Sequence, residues 1–182
     1  MPLDSCLYWK IVIGILQISV WDPEGDKVVV GVCGNGDIVS SKLFNFKRVI
    51  LECITPVEAV EISREDWLYL GPDLISCIQK IQQYIHILQH RRIYPRLVHL
   101  LIWLANRFGQ RLGENFVVSI PFTHHELGEL IGTTRVTVTR ILQMMERERI
   151  LHRQDGRVLV LHYHPIRALD LSLGAGLLED AS

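Results

Sequence analysis

Hydrophobic residues follow two different periods along the chain, and the first is the alternation of β-strands. Residues 8–62 are rich in Val, Ile, Tyr and Trp, and turn signals recur at residues 14, 22–25 and 34–37. This pattern is typical of short strands. The predicted strands are residues 10–13, 15–21, 27–32, 49–54 and 59–62. Five short strands joined by turns predict a small antiparallel roll or sandwich.

From Gly71 onward the apolar period becomes helical. The predicted seam consists of Leu74, Ile78, Ile81, Ile85 and Leu88. A heptad seam favours packing against a partner helix, here as a parallel coiled coil of a homodimer, although a helix packed on its own β domain is the alternative. Pro95 should end or kink this helix. A second helix is predicted over 95–108, with an apolar face of Leu97, Leu100, Leu101 and Leu104.

Residues 119–161 carry the signals of a helix-turn-helix followed by a hairpin. Thr123 and Glu126 form a capping box, which predicts a helix from His124. Gly132 should end that helix in a left-handed conformation, and Thr134 should cap the next helix, which runs from residue 135 to about 147. The strands predicted at 151–154 and 157–161 flank Asp-Gly, a preferred hairpin turn. The segment is therefore predicted to be a winged helix-turn-helix, although a helical hairpin without DNA contact is the alternative.

The second helix of this motif has two unlike faces. Its predicted buried stripe is Val138, Ile141, Leu142 and Met145. Its other face suits the DNA major groove, because Arg binds guanine edges and Val or a Thr methyl contacts the thymine methyl. The predicted base-reading residues are Arg135, Val136, Thr139 and Arg140. Phosphate contacts are expected from Thr123, His124, Thr134, Thr137, Arg153 and Arg157, with the backbone N–H groups of Thr123 and Thr134 facing the DNA.

Charge and cysteine content narrow the class of protein. Residues 1–90 contain seven basic and eleven acidic residues, whereas residues 91–182 contain twelve and nine, so anion contact is expected in the second half. The four cysteines form no zinc-like spacing, which indicates reduced thiols. The apolar stretch at 7–20 is too short to span a bilayer and no signal peptide is visible. We expect a cytoplasmic protein that is not an enzyme, since no nucleophile–base pair, P-loop or metal set stands out.

The segment from Phe122 to Arg140 resembles the DNA-binding motif of the Crp/Fnr family of bacterial transcription regulators. It contains Thr-His-His-Glu-Leu at 123–127 and Ile-Gly-Thr-Thr-Arg-Val-Thr-Val-Thr-Arg at 131–140. The resemblance implies that Arg135, Val136 and Arg140 read bases, and it adds RNA polymerase as a candidate partner. Many members have Glu where Val136 stands, which implies a different half-site. Within the family, these residues and those at 90–98 are most similar to cyanobacterial nitrogen-control regulators.

The chain also departs from the family pattern, chiefly in its sensor half. The β-roll is expected to be incomplete, because residues 8–21 resemble the middle of the family's roll. Residues 38–42 lack the Gly-Glu pair of the cyclic-nucleotide cassette. Cys77 and His86 stand where the 2-oxoglutarate site of the nitrogen-control regulators has an Arg and a Glu. Neither a cyclic nucleotide nor 2-oxoglutarate is therefore expected as a cofactor. His86 and His90 could form a haem or metal pair, but packing is favoured and no metal is expected.

The sequence therefore predicts an α+β protein. Its expected parts are an incomplete antiparallel β-roll of the cyclic-nucleotide-binding kind over 1–71, a dimerisation helix over 72–93, a winged helix-turn-helix over 94–167 and a tail over 168–182. The predicted function is transcription regulation by a homodimer on palindromic double-stranded DNA. The alternative is a shortened interaction protein that pairs with a full-length relative and modulates it.

Overall fold

Short antiparallel strands make up the N-terminal half of the chain. The computed structural model describes residues 8–46, 48–63, 65–112, 115–118, 122–154 and 158–172, and the chain divides into two compact units, Met1–Tyr84 and Ile85–Ser182. The strands described in the first unit are β1 (Tyr8–Ile13), β2 (Leu16–Trp21), β3 (Lys27–Cys33), β4 (Ile38–Val39), β5 (Val49–Cys53) and β6 (Glu58–Ile62). They form one sheet in the order β4-β1-β6 and another in the order β3-β2-β5, with antiparallel pairing throughout.

All five predicted strands are present, with their ends within two residues of the expected bounds. The prediction missed β4, which has only two residues and pairs with β1 through Trp9 opposite Val39. Ile11, Leu16, Ile18 and Val39 form a buried cluster that includes residues of both sheets. The two sheets therefore share one core within the first unit.

Helix α1 (Gly71–Leu88) is held to the strands of the first unit along one side. Lys10 Nζ lies 2.8 Å from Asp73 Oδ2, and Lys80 Nζ lies 2.6 Å from Asp37 Oδ1. The Asp37 side chain is only 3% exposed, and it also accepts a hydrogen bond from the backbone N–H of Gly34. A buried carboxylate needs such partners, so these contacts fix which face of the helix points away from the strands.

The outward face of α1 is apolar. Its exposed isoleucines are Ile75, Ile78, Ile81 and Ile85, each with 51–59% of its surface accessible. Leu74 and Leu88, the first and last residues of the predicted seam, are half-buried. One side of the helix thus packs on its own β domain and another side is exposed, and pairing with a partner helix stays a prediction.

The second unit surrounds helix α2 (Ile93–Phe108). Its further described elements are β7 (Gln110–Leu112), β8 (Asn115–Val118), α3 (His124–Ile131), α4 (Arg135–Arg147), β9 (Leu151–Gln154), β10 (Val158–His162) and α5 (Tyr163–Ser172). The nine consecutive residues from Leu97 to Ala105 are all buried. The expectation of a single apolar face on this helix was too narrow, because α2 contacts α3, α5 and β8.

The strands of the second unit form one sheet in the order β7-β8-β10-β9. The sequence predicted the β9–β10 hairpin but neither β7 nor β8, and β8 pairs with β10 over a long sequence separation, for example through Phe116 and Leu161. Helix α5 crosses the expected start of the tail at residue 168, and the expected domain boundaries stay predictions. None of the helices in the described part of the chain combines the length and the apolar character needed to cross a membrane.

Candidate nucleic-acid interface

Helix α3 begins at a complete capping box, as the sequence predicts. The Thr123 hydroxyl accepts a hydrogen bond from the Glu126 N–H at 3.2 Å, and the Glu126 carboxylate accepts one from the Thr123 N–H at 2.6 Å. The two bonds fix the entry of the chain into the helix. The Thr123 N–H thus has a partner within the protein, and the expected contact of Thr123 with a phosphate stays a prediction.

A tight turn joins α3 to α4. Gly132 adopts the left-handed conformation with φ of 66°, and its N–H donates to the carbonyls of Glu129 and Gly128. Thr134 then caps α4 by accepting a hydrogen bond from the Thr137 N–H at 3.2 Å, and the hydroxyls of these two residues lie 3.0 Å apart. The turn therefore sets the angle between α3 and α4. It also places the exposed Thr134 at the start of α4.

Replacing Gly132 with alanine should loosen this turn without changing the surface that α4 presents. A left-handed conformation costs a residue with a Cβ about 1–2 kcal/mol, so protection of α3 and α4 amides from hydrogen exchange should fall by about 5–30-fold. Gly71→Ala is the matched control, because Gly71 lies at the start of α1 and a Cβ there would meet nothing within 4 Å. Equal protection in the two variants would contradict the assignment.

Helix α4 presents three of its four predicted base-reading residues on its solvent side. Val138, Leu142 and Met145 are fully buried, as expected of the inner stripe, while Ile141 is only half-buried. Arg135 and Arg140 are exposed, and Val136 has 57% of its surface accessible. The arrangement places two guanidinium groups and a short apolar side chain on one helix whose other face is fixed in the core.

Thr139, the fourth predicted base-reading residue, is half-buried, and its hydroxyl has partners within the protein. Its hydroxyl donates to the Arg135 carbonyl at 2.9 Å, and it lies 2.8 Å from His124 Nδ1. Burial, together with the positive charges of Arg153 and Arg135, lowers the pKa of His124, and Glu146 acts in the opposite direction. His124 is therefore a half-buried residue between α3 and α4 and lies close to the proposed DNA-facing surface.

The wing places one of its two predicted phosphate ligands against α4. Arg153 Nε lies 3.0 Å from Glu146 Oε1, which is ion-pair distance without hydrogen-bond geometry, and Arg153 Nε and Nη2 are both buried. Arg153 is thus paired with Glu146 of α4, and its expected phosphate contact stays a prediction. Arg157 and the Asp-Gly turn lie outside the described residues.

Arg96 connects separate elements of the second unit through its hydrogen bonds, a role that the sequence did not reveal. Its guanidinium donates to the His90 carbonyl at 2.7 and 3.2 Å and to the Ile131 carbonyl at 2.8 Å. It therefore ties the last residue of α3 to the turn before α2. Nothing in the local sequence distinguishes this arginine, because its partners are 6 and 35 residues away.

The histidines considered as a metal pair instead contact one another and a third histidine. The His86 and His90 rings pack edge to face with centroids 5.4 Å apart, and His90 Nε2 lies 2.6 Å from His99 Nδ1. Burial lowers the pKa of His90, with smaller contributions from His86 and Arg96. Among the residues that the structure describes, no group of three or more His, Cys, Asp or Glu side chains could hold a metal ion.

Comparisons with known proteins agree with the geometry of this half of the chain. Residues 95–169 match the family of the Crp-like helix-turn-helix domain. Over 95% of its length the chain is similar in fold to TTHB099, a CRP-family transcriptional regulator of Thermus thermophilus, with a TM-score of 0.75, 19% identity and coverage of 90% of that chain. This likeness confirms the α+β fold with an N-terminal β-rich domain, a long helix and a C-terminal helix-turn-helix.

Two curated relatives extend the similarity in sequence. The regulatory protein CysR of Synechococcus elongatus is 34% identical over 90% of this chain and 80% of its own length. The global nitrogen regulator of Nostoc sp. is 31% identical, but over only 58% of this chain and 49% of its own length. The expected likeness to nitrogen-control regulators is thus partial, while that to the wider family covers nearly the whole chain. The chain belongs to the Crp/Fnr family of DNA-binding transcription regulators.

Proposed function

We propose that this regulator binds a roughly palindromic DNA site as a homodimer, with α4 of each protomer in the major groove. The observation that carries the proposal is the joint exposure of Arg135, Val136 and Arg140 on a helix whose inner face is buried. Arginine recognises guanine through paired hydrogen bonds, and valine suits a thymine methyl. Thr134, Thr137 and His124 would lie beside the phosphates, and RNA polymerase stays a candidate partner of the bound dimer.

The outward apolar face of α1 supports the dimeric part of the proposal. Exposed isoleucines at helical spacing are costly in water and are typical of a helix that packs against a partner. Two copies of α4 would then read half-sites about one helical turn apart. A shortened protein that pairs with a full-length relative would use the same face, so the oligomeric state of the purified chain distinguishes the two possibilities.

Binding selection from a random duplex library tests the proposal directly. The selected site should be palindromic, and its affinity should exceed that of a random duplex by about 10³-fold or more at physiological salt. Affinity for both duplexes should fall as salt rises, since phosphate contacts release counterions. No enriched sequence, or equal affinity for the selected and random duplexes at moderate salt, would contradict the proposed function.

A further inference from the structure

The Thr139 hydroxyl has two partners inside the protein, and their chemistry fixes its protons. A carbonyl oxygen can only accept, so the contact with the Arg135 carbonyl at 2.9 Å uses the single proton of the hydroxyl. Towards His124 the oxygen can then only accept, and His124 Nδ1, 2.8 Å away, must be the donor. The neutral imidazole therefore carries its proton on Nδ1, and its Nε2 carries no proton.

These two bonds decide which part of Thr139 is available to DNA. The side chain ends in one hydroxyl and one methyl, and the hydroxyl is held by His124 of α3 and the backbone of α4. We infer that His124 is a positioning residue, which holds the Thr139 hydroxyl inward so that its methyl contacts the methyl of a thymine. The inference rests on the proposed DNA-binding function and assigns Thr139 an apolar contact, not a hydrogen bond, with the base edge.

The surroundings of His124 favour the uncharged donor. Arg135 and Glu146 face it from α4 and Arg153 faces it from β9, and burial together with the two arginines lowers its pKa. A neutral ring can hold Thr139 without adding a charge beside the DNA. Loss of His124 is therefore expected to change the preference for one base over another more than the total affinity for DNA.

Deoxyuridine-for-thymine exchange in the selected site measures the contact, because the two bases differ only in the methyl group. Each thymine of the half-site is replaced in turn, and the thymine-to-uracil affinity ratio is measured for each protein. The wild-type protein should lose about fourfold in affinity at the contacted thymine, the value of one buried methyl group. Thr139→Ser keeps the hydroxyl and removes the methyl, so the ratio at that position should fall to one. If no position responds to Thr139→Ser, the inference is overturned.

Two amide variants then isolate the contribution of His124. His124→Asn places an amide nitrogen near the position of Nδ1, whereas His124→Gln places it near Nε2. The ratio at the Thr139-dependent thymine should stay near fourfold in the Asn variant and fall to about one in the Gln variant. A uniform loss of phosphate contact cancels in the ratio. Retention by Gln, or loss by Asn, would overturn the positioning role. Failure of the proposed function is distinct, because the wild-type protein would then select no site.

Discussion

Replacing Arg135 and Arg140 together with alanine is expected to remove most of the sequence preference of DNA binding while the fold stays intact. Both side chains are exposed on α4, and the inner stripe of this helix does not involve them. Each paired contact of arginine with guanine is worth about 1–3 kcal/mol of discrimination. Loss of both contacts should lower the affinity ratio between the selected and a random duplex by about 30-fold to 10⁴-fold, measured by fluorescence anisotropy at constant salt.

The matched control for this variant removes the same charge elsewhere. Arg91, in the turn between α1 and α2, and Arg147, in the last turn of α4, are both exposed. The double variant Arg91→Ala, Arg147→Ala should weaken binding to both duplexes alike, because loss of positive charge reduces affinity for DNA without regard to its sequence. An unchanged ratio in the Arg135 and Arg140 variant would show that α4 does not read the bases, even if total affinity falls.

The local parts of the fold were predictable because short sequence signals determine them. The bounds of α3 and α4 follow from Thr123, Gly132 and Thr134, whose capping bonds span at most four residues. The strands of the N-terminal half were recognisable from alternation and turns. β7 and β8 were not, because they are short and β8 pairs with β10 more than 40 residues along the chain. No local pattern encodes such a pairing.

The exposed positions of α4 were predictable from the sequence, but the hydrogen-bond partners of the surrounding polar groups were not all foreseen. The capping box that predicted the start of α3 already implies that the Thr123 N–H donates to Glu126, so the sequence itself indicated a partner for this group within the protein. Two other interactions depend on how separate elements pack: the ion pair of Arg153 with Glu146 and the hydrogen bond of Arg96 to the Ile131 carbonyl. Tertiary packing therefore decides which polar groups remain available to a ligand.

The second large effect is expected from the apolar face of α1. Ile78 and Ile81 are each about half exposed, at 55% and 51%, and the ion pairs of Asp73 and Lys80 hold the other side of the helix to the strands. Glutamate at both isoleucines should prevent dimerisation, because two like charges would enter each half of an apolar interface. Affinity for the full site should then fall by about 10²–10⁴-fold, the gain that linking two half-sites provides.

Sedimentation and DNA binding together test this expectation on the chain of residues 1–182. The Ile78→Glu, Ile81→Glu variant should sediment as a monomer and keep the wild-type affinity for an isolated half-site, since α4 is unchanged. Gln79→Glu is the control, because Gln79 is exposed on α1 but lies outside the apolar face, and it should remain a dimer. A wild-type chain that is monomeric would contradict the homodimer. If such a monomer gained DNA affinity only on mixing with a longer family member, the same isoleucines would form a heterodimer interface instead.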